Sequence, residues 1–494
     1  MTGRIRSVAW VVLVLLMGLI GQLTYLQLID AGQLNNDPRN IRSAIRKYTR
    51  PRGEIRSADG VVLARSIPTS DPEIRRKRVY EAGGDPPGSL FAHVTGYSSF
   101  LRDPTGVEAK YNADLTGVTL GLDPSAFGSS KDATNSVVLN LDSRLQQIAK
   151  DALGPDQNGA VVLLDARTGA IKAFWSNPSF DPNALASLNG TSVNDAWDFL
   201  LALPSAPLLS RAYRVLYPPG STFKIVTTAI ALEAGVTTST TFPSIKELPL
   251  PLTNSTLRNF GGQVCGGTLA ESFRRSCNTT FGQIGLNLGE SFVTGIHGFG
   301  FGTSEAPPID LDNAAASKGT AAGTFTTQAP TFAQAAIGQG DIATTPLHMA
   351  LVASSVVNGG VMMTPHVVDQ IVRADGAVDR RIAAAPWKTV MKTETAATLT
   401  DLMRSVVASG TGTGAGIPGA DVIGKTGTAE AGSGAPHAWF VGAATPTSFA
   451  GDNGEPRYAI AVVVEHGGTV GNEATGGRVA APIARRVLEA ALKP

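Results

Sequence analysis

The 494-residue sequence is poor in the residue types that build metal centres and disulfide frameworks. It contains 2 cysteines, too few for a fold that depends on several disulfides. Its 6 histidines are scattered and show no spacing typical of metal ligands. Because 41 basic residues nearly balance 40 acidic ones, the charge gives no reason to expect nucleic acid as a partner. We therefore expect no metal, no other cofactor and no nucleic acid.

One long apolar run lies near the N-terminus, from Val8 to Leu28, without a charged residue. At about 1.5 Å per residue, a helix of this length reaches roughly 31 Å, enough to cross the core of a bilayer. Two arginines precede the run and an aspartate follows it, which favours an N-terminus in the cytoplasm. We predict a cytoplasmic tail at residues 1–7, a single-pass anchor in the cytoplasmic membrane at residues 8–28, and the bulk of the chain outside.

Two features of the sequence weigh against parts of this prediction. Several basic residues between positions 39 and 52 oppose the orientation, although large domains are translocated largely regardless of charge. A cleaved signal peptide is the alternative to an anchor, but the apolar run is longer than usual and no small-x-small cleavage site follows it. We expect the anchor to be retained.

The chain is too long for one ordinary hydrophobic core, so a large domain and a smaller one are expected. The smaller domain is predicted at residues 29–135. The stretch from Gly121 to Ser136 is rich in turn residues and is typical of a boundary. Residues 136–494 are predicted to form the larger, catalytic domain.

Apolar segments near both ends of the larger domain predict its sheet. The first two form a hairpin, and a final amphipathic helix follows the last three. Because strands lie at both ends and helices between them, we predict an α+β fold with one antiparallel sheet covered by helices. The predicted elements are strands 159–165, 170–176, 421–429, 437–444 and 458–465 and helix 481–492.

Ser221 and Lys224 place a hydroxyl and an amine one helical turn apart. Two prolines and a glycine precede Ser221, and the apolar residues after Lys224 predict a buried helix that closes at Gly235. Ser221 is therefore expected at a helix N-terminus. Free backbone N–H groups and the positive end of the helix dipole favour a developing oxyanion there.

Ser-x-x-Lys alone also fits an ordinary helix with a surface lysine, so the order of three motifs carries the argument. Ser276-Cys277-Asn278 follows the first motif, and Lys425-Thr426-Gly427-Thr428 lies near the C-terminus. Two other Ser-x-Asn matches, at residues 187–189 and 192–194, precede Ser221. The ordered triplet resembles the signature of serine β-lactamases and penicillin-binding proteins.

The chemistry explains why these residue types are needed together. A serine hydroxyl becomes a useful nucleophile when a base removes its proton, and Lys224 can do so only as a neutral amine. If Lys425 faces the same cleft, like-charge repulsion lowers the pKa of Lys224, and partial burial adds to the shift. Ser276 is interpreted as a relay of the proton to the leaving amine. Asn278 is interpreted as the residue that holds the substrate amide and Lys224.

The strand predicted around Lys425 contains glycines, which in strands often mark the close approach of another backbone. A peptide substrate could add to this edge by β-augmentation. We predict that Thr426, Gly427 and Thr428 bind substrate, with the positive charge of Lys425 facing a substrate carboxylate. The backbone N–H groups of Ser221 and Thr428 are the candidates for the oxyanion hole.

Beyond the triplet, nearly the whole chain resembles a class B penicillin-binding protein, most closely the actinobacterial penicillin-binding protein A group. In the catalytic part, the resemblance includes Gly338-Gln339-Gly340 with Thr345-Pro346-Leu347. In the N-terminal part it rests on Arg52-Gly53, Asp59-Gly60, Gly106-Val107-Glu108, Tyr111, Leu115 and Gly117. The resemblance implies that residues 136–494 form a five-stranded transpeptidase domain, that residues 29–135 form a non-catalytic, dimerisation-like pedestal domain, and that one transmembrane helix precedes them.

The resemblance also implies a reaction and partners. Ser221 would attack the penultimate D-Ala carbonyl of a peptidoglycan stem peptide, D-Ala would leave, and an amine of a neighbouring stem peptide would resolve the acyl-enzyme. β-Lactams would trap the same serine. The family also implies a role in cell division. The partners that it implies are a membrane-embedded SEDS-type glycosyltransferase and other divisome proteins.

Several alternatives stay open. A D,D-carboxypeptidase differs only in using water as the acceptor, and a β-lactam sensor or β-lactamase shares the triplet. An inactive divisome scaffold is the alternative from another class, and the intact triplet argues against it. Cys277 occupies the middle of Ser-x-Asn, so a role that depends on an aspartate there does not carry over. Cys265 and Cys277 form either a disulfide beside the site or two separate thiols.

Overall fold

The computed structural model describes residues 2–28, 51–70, 74–117, 134–432, 434–450 and 454–493. The first helix, Thr2–Leu28, is long and apolar enough to cross a membrane between Arg6 and Leu26. Its apolar side chains from Val8 to Leu26 are exposed rather than packed on the rest of the protein. A helix that is apolar all round and buries none of its surface is typical of a membrane-spanning segment.

The described residues form 17 strands, numbered in chain order. They are β1 Ile55–Arg56, β2 Val62–Pro68, β3 Arg76–Tyr80, β4 Ser136–Leu139, β5 Gly159–Asp165, β6 Ile171–Asn177, β7 Thr241–Ile245, β8 Glu247–Pro249, β9 Thr256–Arg258, β10 Cys265–Thr268, β11 Val361–Met363, β12 Val368–Val372, β13 Val378–Arg381, β14 Pro386–Thr389, β15 Asp421–Ala429, β16 His437–Thr445 and β17 Tyr458–Val464.

Helices connect most of these strands. After the first helix, the α-helices are Ala92–Thr95, Gly106–Lys110, Asn112–Thr116, Ser143–Leu153, Pro182–Leu185, Gly190–Ala202, Lys224–Glu233, Leu269–Arg275, Asn278–Leu288, Glu290–Gly298, Phe325–Ala335, Pro346–Val357, Thr393–Ser409 and Ala480–Leu492. Short 3-10 helices are Gly220–Phe223, Phe260–Gly262, Thr413–Ala415 and Glu465–Glu473.

A five-stranded antiparallel sheet forms the centre of the molecule, in the order β15-β16-β17-β5-β6. All nine residues of β16 are buried, because helices cover both faces of the sheet. Helices Ser143–Leu153 and Ala480–Leu492 pack together on the sheet, as do Pro346–Val357 and Thr393–Ser409. The predicted α+β fold with an antiparallel sheet covered by helices is therefore confirmed.

Local sequence explains the ends of these elements. The Asp142 side chain accepts a hydrogen bond from Leu145 N at 2.9 Å and caps helix Ser143–Leu153. Thr345 caps helix Pro346–Val357 in the same way, and Pro346 occupies the first helical position, where its missing N–H costs nothing. These caps fix the starts of two of the helices that cover the sheet.

A second sheet of six strands, ordered β13-β12-β4-β1-β2-β3, joins the N-terminal part to the rest. Ile55 of β1 pairs in parallel with Val137 of β4, and β12 pairs antiparallel with β4. The sheet thus contains strands from both sides of the predicted boundary between residues 135 and 136. The bounds of the two domains stay a prediction. Strands from both predicted domains pair with each other in this sheet.

A buried charged cluster lies beside this sheet. Both carboxylate oxygens of the fully buried Glu108 accept hydrogen bonds from arginines, one from Arg52 Nε and one from Arg78 Nε at 2.6 Å. Tyr80 donates to the same carboxylate at 3.1 Å, and Arg78 also binds Gly53 O. Burial alone would raise the pKa of Glu108, but the two guanidinium groups lower it below the ordinary value.

Candidate active site

Ser221 lies in the 3-10 turn Gly220–Phe223, which runs directly into helix Lys224–Glu233. Gly220 has φ 53°, and a Cβ there would lie 2.8 Å from Thr428 O on β15. Only glycine therefore allows this turn to adopt its backbone conformation and approach the strand. The predicted position of Ser221 at the start of a helix agrees with the structure, and Thr428 lies next to it.

Lys224 is completely buried, and its Nζ points at the Ser-x-Asn motif. Its Nζ donates to Asn278 Oδ1 at 2.7 Å, to Ser276 O at 2.9 Å and to Ser276 Oγ at 3.2 Å. Among the described residues it makes no hydrogen bond to Ser221 Oγ in this state. A neutral lysine donates two of these bonds and keeps a lone pair for a hydroxyl proton.

Lys425 of β15 reaches the same point from the other side. Its Nζ is buried and donates to Ser276 Oγ at 2.9 Å and to Thr426 O at 3.0 Å. The Ser276 hydroxyl therefore lies between the two lysines. Ser276 has φ 63°, a left-handed conformation that is uncommon for a residue with a side chain. Such strain is found where a side chain must be held in one place.

Burial and mutual repulsion set the charge of the two lysines. Burial is the main cause that lowers the pKa of Lys224 well below its ordinary value, and repulsion by Lys425 adds to it. Burial also lowers the pKa of Lys425, to about 7. In the part of the chain that the structure describes, neither lysine forms an ion pair with a carboxylate. Aromatic faces lie near them instead, with Phe281 at 5.2 Å and Phe273 at 5.9 Å.

The prediction from sequence named like-charge repulsion first and partial burial second as the causes that lower the pKa of Lys224. Burial contributes more, because Lys224 is fully enclosed and not merely lining a cleft. The enclosure of Lys224 depends on segments that are distant along the chain, so its extent could not be predicted from the sequence.

β15 carries the remaining predicted residues. A Cβ on Gly427 would lie 2.7 Å from Pro219 O, so the expected close approach of another backbone is provided by the chain itself. Thr426 Oγ1 and Thr411 Oγ1 share a hydrogen bond of 2.6 Å, and Thr428 is half-buried beside the Ser221 turn. Their roles in substrate binding, and the oxyanion hole at Ser221 and Thr428, stay predictions.

The Ser-x-Asn turn is fastened at two points. The structure joins Cys277 to Cys265 of β10 in a disulfide, with the Cα atoms 5.4 Å apart. Asn278 Nδ2 donates to Arg258 O at 2.9 Å, at the end of β9. Because both contacts hold the residues that follow Ser276, they restrict how far its hydroxyl can move from the two lysines.

A polar bridge that was not predicted from sequence lies beside the segment that leads to Ser221. Glu465 accepts a hydrogen bond from Tyr217 at 2.6 Å and one from Arg211 at 2.9 Å. Tyr217 lies four residues before Ser221, and its ring packs edge-on against Trp439 and His437. The bridge ties the segment that enters the active site to the end of β17. The hydroxyl of Tyr217, next to two prolines and a glycine, was the sequence feature that could have indicated a buried hydrogen bond here.

Comparison with known proteins identifies relatives of the whole chain. The family described as "Penicillin binding protein transpeptidase domain" matches residues 159–489. The family described as "Penicillin binding protein A dimerisation domain" matches residues 52–126. Together the two matches include the residues of the buried charged cluster and of all three motifs.

Named relatives match over the full length. The chain is 38% identical to the peptidoglycan D,D-transpeptidase PbpA of Mycolicibacterium smegmatis, across 100% of this chain and 99% of the relative. It is 36% identical to the protein of that name from Mycobacterium tuberculosis, with the same shares covered.

Solved structures agree with this relationship. The ceftriaxone acyl-enzyme complex of penicillin-binding protein A from M. tuberculosis superimposes with a TM-score of 0.81 at 34% identity. The match covers 91% of this chain and 100% of that one. The chain therefore belongs to the class B penicillin-binding proteins, in the group of penicillin-binding protein A.

Proposed function

We propose that this protein is a peptidoglycan D,D-transpeptidase that works through an acyl-enzyme on Ser221. The observation that carries the proposal is the meeting of two buried lysines, Lys224 and Lys425, at the Ser276 hydroxyl beside the turn that holds Ser221. Burying two cations without a carboxylate is costly, so such an arrangement is typical of a site that needs a neutral amine. The relatives named above carry this activity in their names.

In the first half of the reaction, Ser221 Oγ attacks the carbonyl carbon of the penultimate D-Ala. Its proton passes to the neutral amine of Lys224, and the backbone N–H groups of Ser221 and Thr428 stabilise the oxyanion. The C–N bond then breaks. The leaving D-Ala nitrogen takes a proton through Ser276, which leaves a serine ester and restores the neutral lysine.

In the second half, an amine of a neighbouring stem peptide attacks the ester carbonyl. The amine gives up its proton to the same lysine, and the C–O bond to Ser221 breaks as the new amide forms. The lysine then returns that proton to Ser221 Oγ, which restores the serine hydroxyl and the neutral amine. Exclusion of water would favour the amine as the acceptor over hydrolysis. A D,D-carboxypeptidase would differ only in this step.

The position of β15 supports the proposed mode of substrate binding. It is an edge strand of the central sheet, paired on one side with β16 within the described chain. A peptide could therefore add along its free side, with Lys425, Thr426 and Thr428 near the terminal carboxylate. The terminal carboxylate would meet a positive charge and hydroxyl donors.

Covalent labelling tests the proposal. Wild-type protein and Ser221→Ala would be incubated with a fluorescent penicillin and the label followed by gel and intact mass. We expect stable label on the wild type and none on the variant. An unlabelled wild type, or equal label on both, would contradict the acyl-enzyme. Rapid loss of label would identify a β-lactamase instead. Amine-dependent products from a stem-peptide substrate would separate a transpeptidase from a carboxypeptidase.

We further propose that the protein acts in septal wall synthesis from a single-pass anchor, with its catalytic part outside the membrane and a SEDS-type polymerase and divisome proteins as partners. The exposed apolar helix Thr2–Leu28 supports the anchor, and the family resemblance supports the partners. A fluorescent fusion should concentrate at the division site in both wild type and Ser221→Ala. A uniform distribution over the envelope would contradict the septal role.

A further inference from the structure

A stiff spacer of three residues, Pro218-Pro219-Gly220, connects Tyr217 to the active serine. A proline ring fixes its own φ, and a residue that precedes a proline is restricted in its backbone as well. Gly220 N donates to Gly338 O at 2.9 Å, which holds the end of the spacer. Because few backbone torsions between Tyr217 and Ser221 are free to change, the orientation of Tyr217 affects where Ser221 lies.

Tyr217 is held at three points. Its backbone N–H donates to Thr344 O at 2.9 Å, and its carbonyl accepts a hydrogen bond from Thr344 N at 2.8 Å. The third point is the phenol O–H at the far end of the side chain, which donates to Glu465 at 2.6 Å. The two backbone bonds alone would leave Tyr217 free to tilt about the line that joins them. The bond to Glu465 prevents that tilt.

The bond between Tyr217 and Glu465 is short and charge-assisted. Tyr217 is buried, and burial together with the neighbouring carboxylate raises the pKa of its phenol, so the O–H keeps its proton and donates. The same carboxylate oxygen accepts a hydrogen bond from Arg211 Nε at 2.9 Å. Hydrogen bonds to an ionised group are roughly twice as strong as neutral ones. Arg211 therefore fixes the carboxylate that fixes the phenol.

Glu465 lies in line with the strand that faces the active serine. It directly follows Val464, the last residue of β17. Val464 pairs with Ala438 of β16, and Ala438 pairs with Thr428 of β15. Glu465 thus stands at one end of a row of paired residues that leads across the sheet to Thr428.

The ring of Tyr217 packs beside the same row. Its centroid lies 5.3 Å from that of His437 and 6.1 Å from that of Trp439, and both contacts are edge-on. These two residues flank Ala438 in β16. The side chain of Tyr217 therefore joins the segment that leads to Ser221 to the part of the sheet that carries Thr428.

We propose that Glu465 is a positioning residue that acts through Tyr217 and sets the spacing between Ser221 and Thr428. The backbone N–H groups of Ser221 and Thr428 form the proposed oxyanion hole, and they belong to two different elements, a helical turn and a strand. Two donors stabilise an oxyanion only when both reach the same oxygen, so the turn and the strand must be fixed relative to each other. Glu465 has this role only if the proposed acyl-enzyme on Ser221 forms.

Stopped-flow acylation of the full chain in detergent micelles by a fluorescent penicillin tests this role. The measurement separates the Kd of the non-covalent complex from the rate constant of acylation. Because a misplacement of about 1 Å can cost about 100-fold in rate, the rate constant should fall by about that factor in Glu465→Ala and in Tyr217→Phe. The Kd should stay the same, since the contact is made by groups that do not touch the substrate.

Further variants separate position from stability. Tyr217→Phe leaves the ion pair of Glu465 and Arg211 in place, so it tests the hydroxyl contact in a protein that keeps this pair. The double variant should be no slower than Glu465→Ala, because both changes break one contact. Glu465→Gln keeps an acceptor oxygen and should recover part of the rate. The matched control is Asp421→Asn, which breaks a similarly buried contact with Arg404 at the opposite end of β15 and should leave the rate constant unchanged.

The outcomes separate this role from the proposed function. A wild type that takes no label would contradict the acyl-enzyme, and the role of Glu465 with it. A labelled wild type with an unchanged rate constant in Tyr217→Phe would overturn the role of Glu465 alone. Additive losses in the double variant would also overturn it, as would a weaker Kd at an unchanged rate constant. Equal slowing in Asp421→Asn would show that lost stability limits acylation, and this result too would overturn it.

Discussion

The molecule buries ionisable side chains in two places, and it compensates the cost of burial in opposite ways. At Glu108, a carboxylate is enclosed with two guanidinium groups, Arg52 and Arg78, and opposite charges satisfy each other. At the active site, Lys224 and Lys425 are enclosed together with Ser276 between them, and no described carboxylate pairs with them. The first arrangement favours the charged form of Glu108, whereas the second favours the neutral form of Lys224. We therefore expect burial of charge to serve stability at Glu108 and the proposed chemistry at the active site.

The largest effect should come from Lys224→Met. Removing the proposed base should slow penicillin acylation about 1,000-fold, the range that a positioned acid or base contributes. The melting temperature should not fall, because an apolar side chain of similar length replaces a desolvated amine. Stopped-flow acylation and thermal unfolding measure the two effects. Lys246→Met removes an exposed lysine and is the control. Unchanged acylation in Lys224→Met would break the comparison at the active site.

Glu108→Gln should do the reverse. It leaves two guanidinium groups enclosed without a carboxylate, which should lower the free energy of unfolding by about 4 kcal/mol. Folded variant should still be acylated at the wild-type rate, since Glu108 lies in the N-terminal part. Denaturant unfolding with labelling at low denaturant checks both, with the exposed Glu394→Gln as control. A stable Glu108→Gln protein with slow acylation would reverse the assigned roles.

The same cluster predicts a dependence on acid. The pKa of Glu108 is lowered in the folded protein, so its stabilising effect is present above the ordinary carboxylate pKa and is lost as the pH falls through the lower, folded value. Unfolding experiments in acid should show this loss in the wild type and a flatter profile in Glu108→Gln.

Removing the disulfide should have a smaller effect. The two cysteines are 12 residues apart, and a loop of that length is worth about 3 kcal/mol when it is closed. The double variant Cys265→Ser, Cys277→Ser should lose that stability and acylate more slowly, because the Ser276 turn keeps only its contact through Asn278. Equal thiol counts before and after reduction of the denatured wild type would show that no bridge had formed.

Lys425→Gln should produce the smallest change in stability, and it should change the pH dependence of acylation. The positive charge of Lys425 lowers the pKa of Lys224, although burial is the larger cause. Without that charge the pKa of Lys224 rises, and the acidic limb of the acylation profile moves to higher pH. Rates measured from pH 5 to 10 would show the shift. A limb that stays in place would mean that burial alone sets the charge of Lys224.

Sequence could predict the parts of the molecule that are encoded locally. The strands of the central sheet are largely apolar segments, and their predicted bounds agree with the structure to within about a residue or two. The ordered motifs predicted that Ser221, Ser276 and Lys425 lie close together, because the proposed proton transfers require these side chains in one site. The hydroxyl of Ser276 does lie between both lysines.

What sequence could not supply depends on pairing at long range. β12 and β13 belong to the same sheet as the N-terminal strands. Neither the apolar pattern nor the turns of these segments predict that β12 pairs with β4. The cysteine pairing also stayed open, since spacing gives no geometry. Glu108 was noted only as part of a resemblance, because its two arginines lie 56 and 30 residues away.

The charge of Lys224 in the folded protein is the most direct test of the account. Carbon-13 labelled lysine would be introduced, and the Lys224 Cε resonance would be assigned by its absence in Lys224→Met. We predict that this resonance titrates well below the ordinary lysine pKa of 10.5, as expected for a buried amine beside Lys425. A resonance that keeps the shift of a charged lysine up to pH 10 would contradict the account.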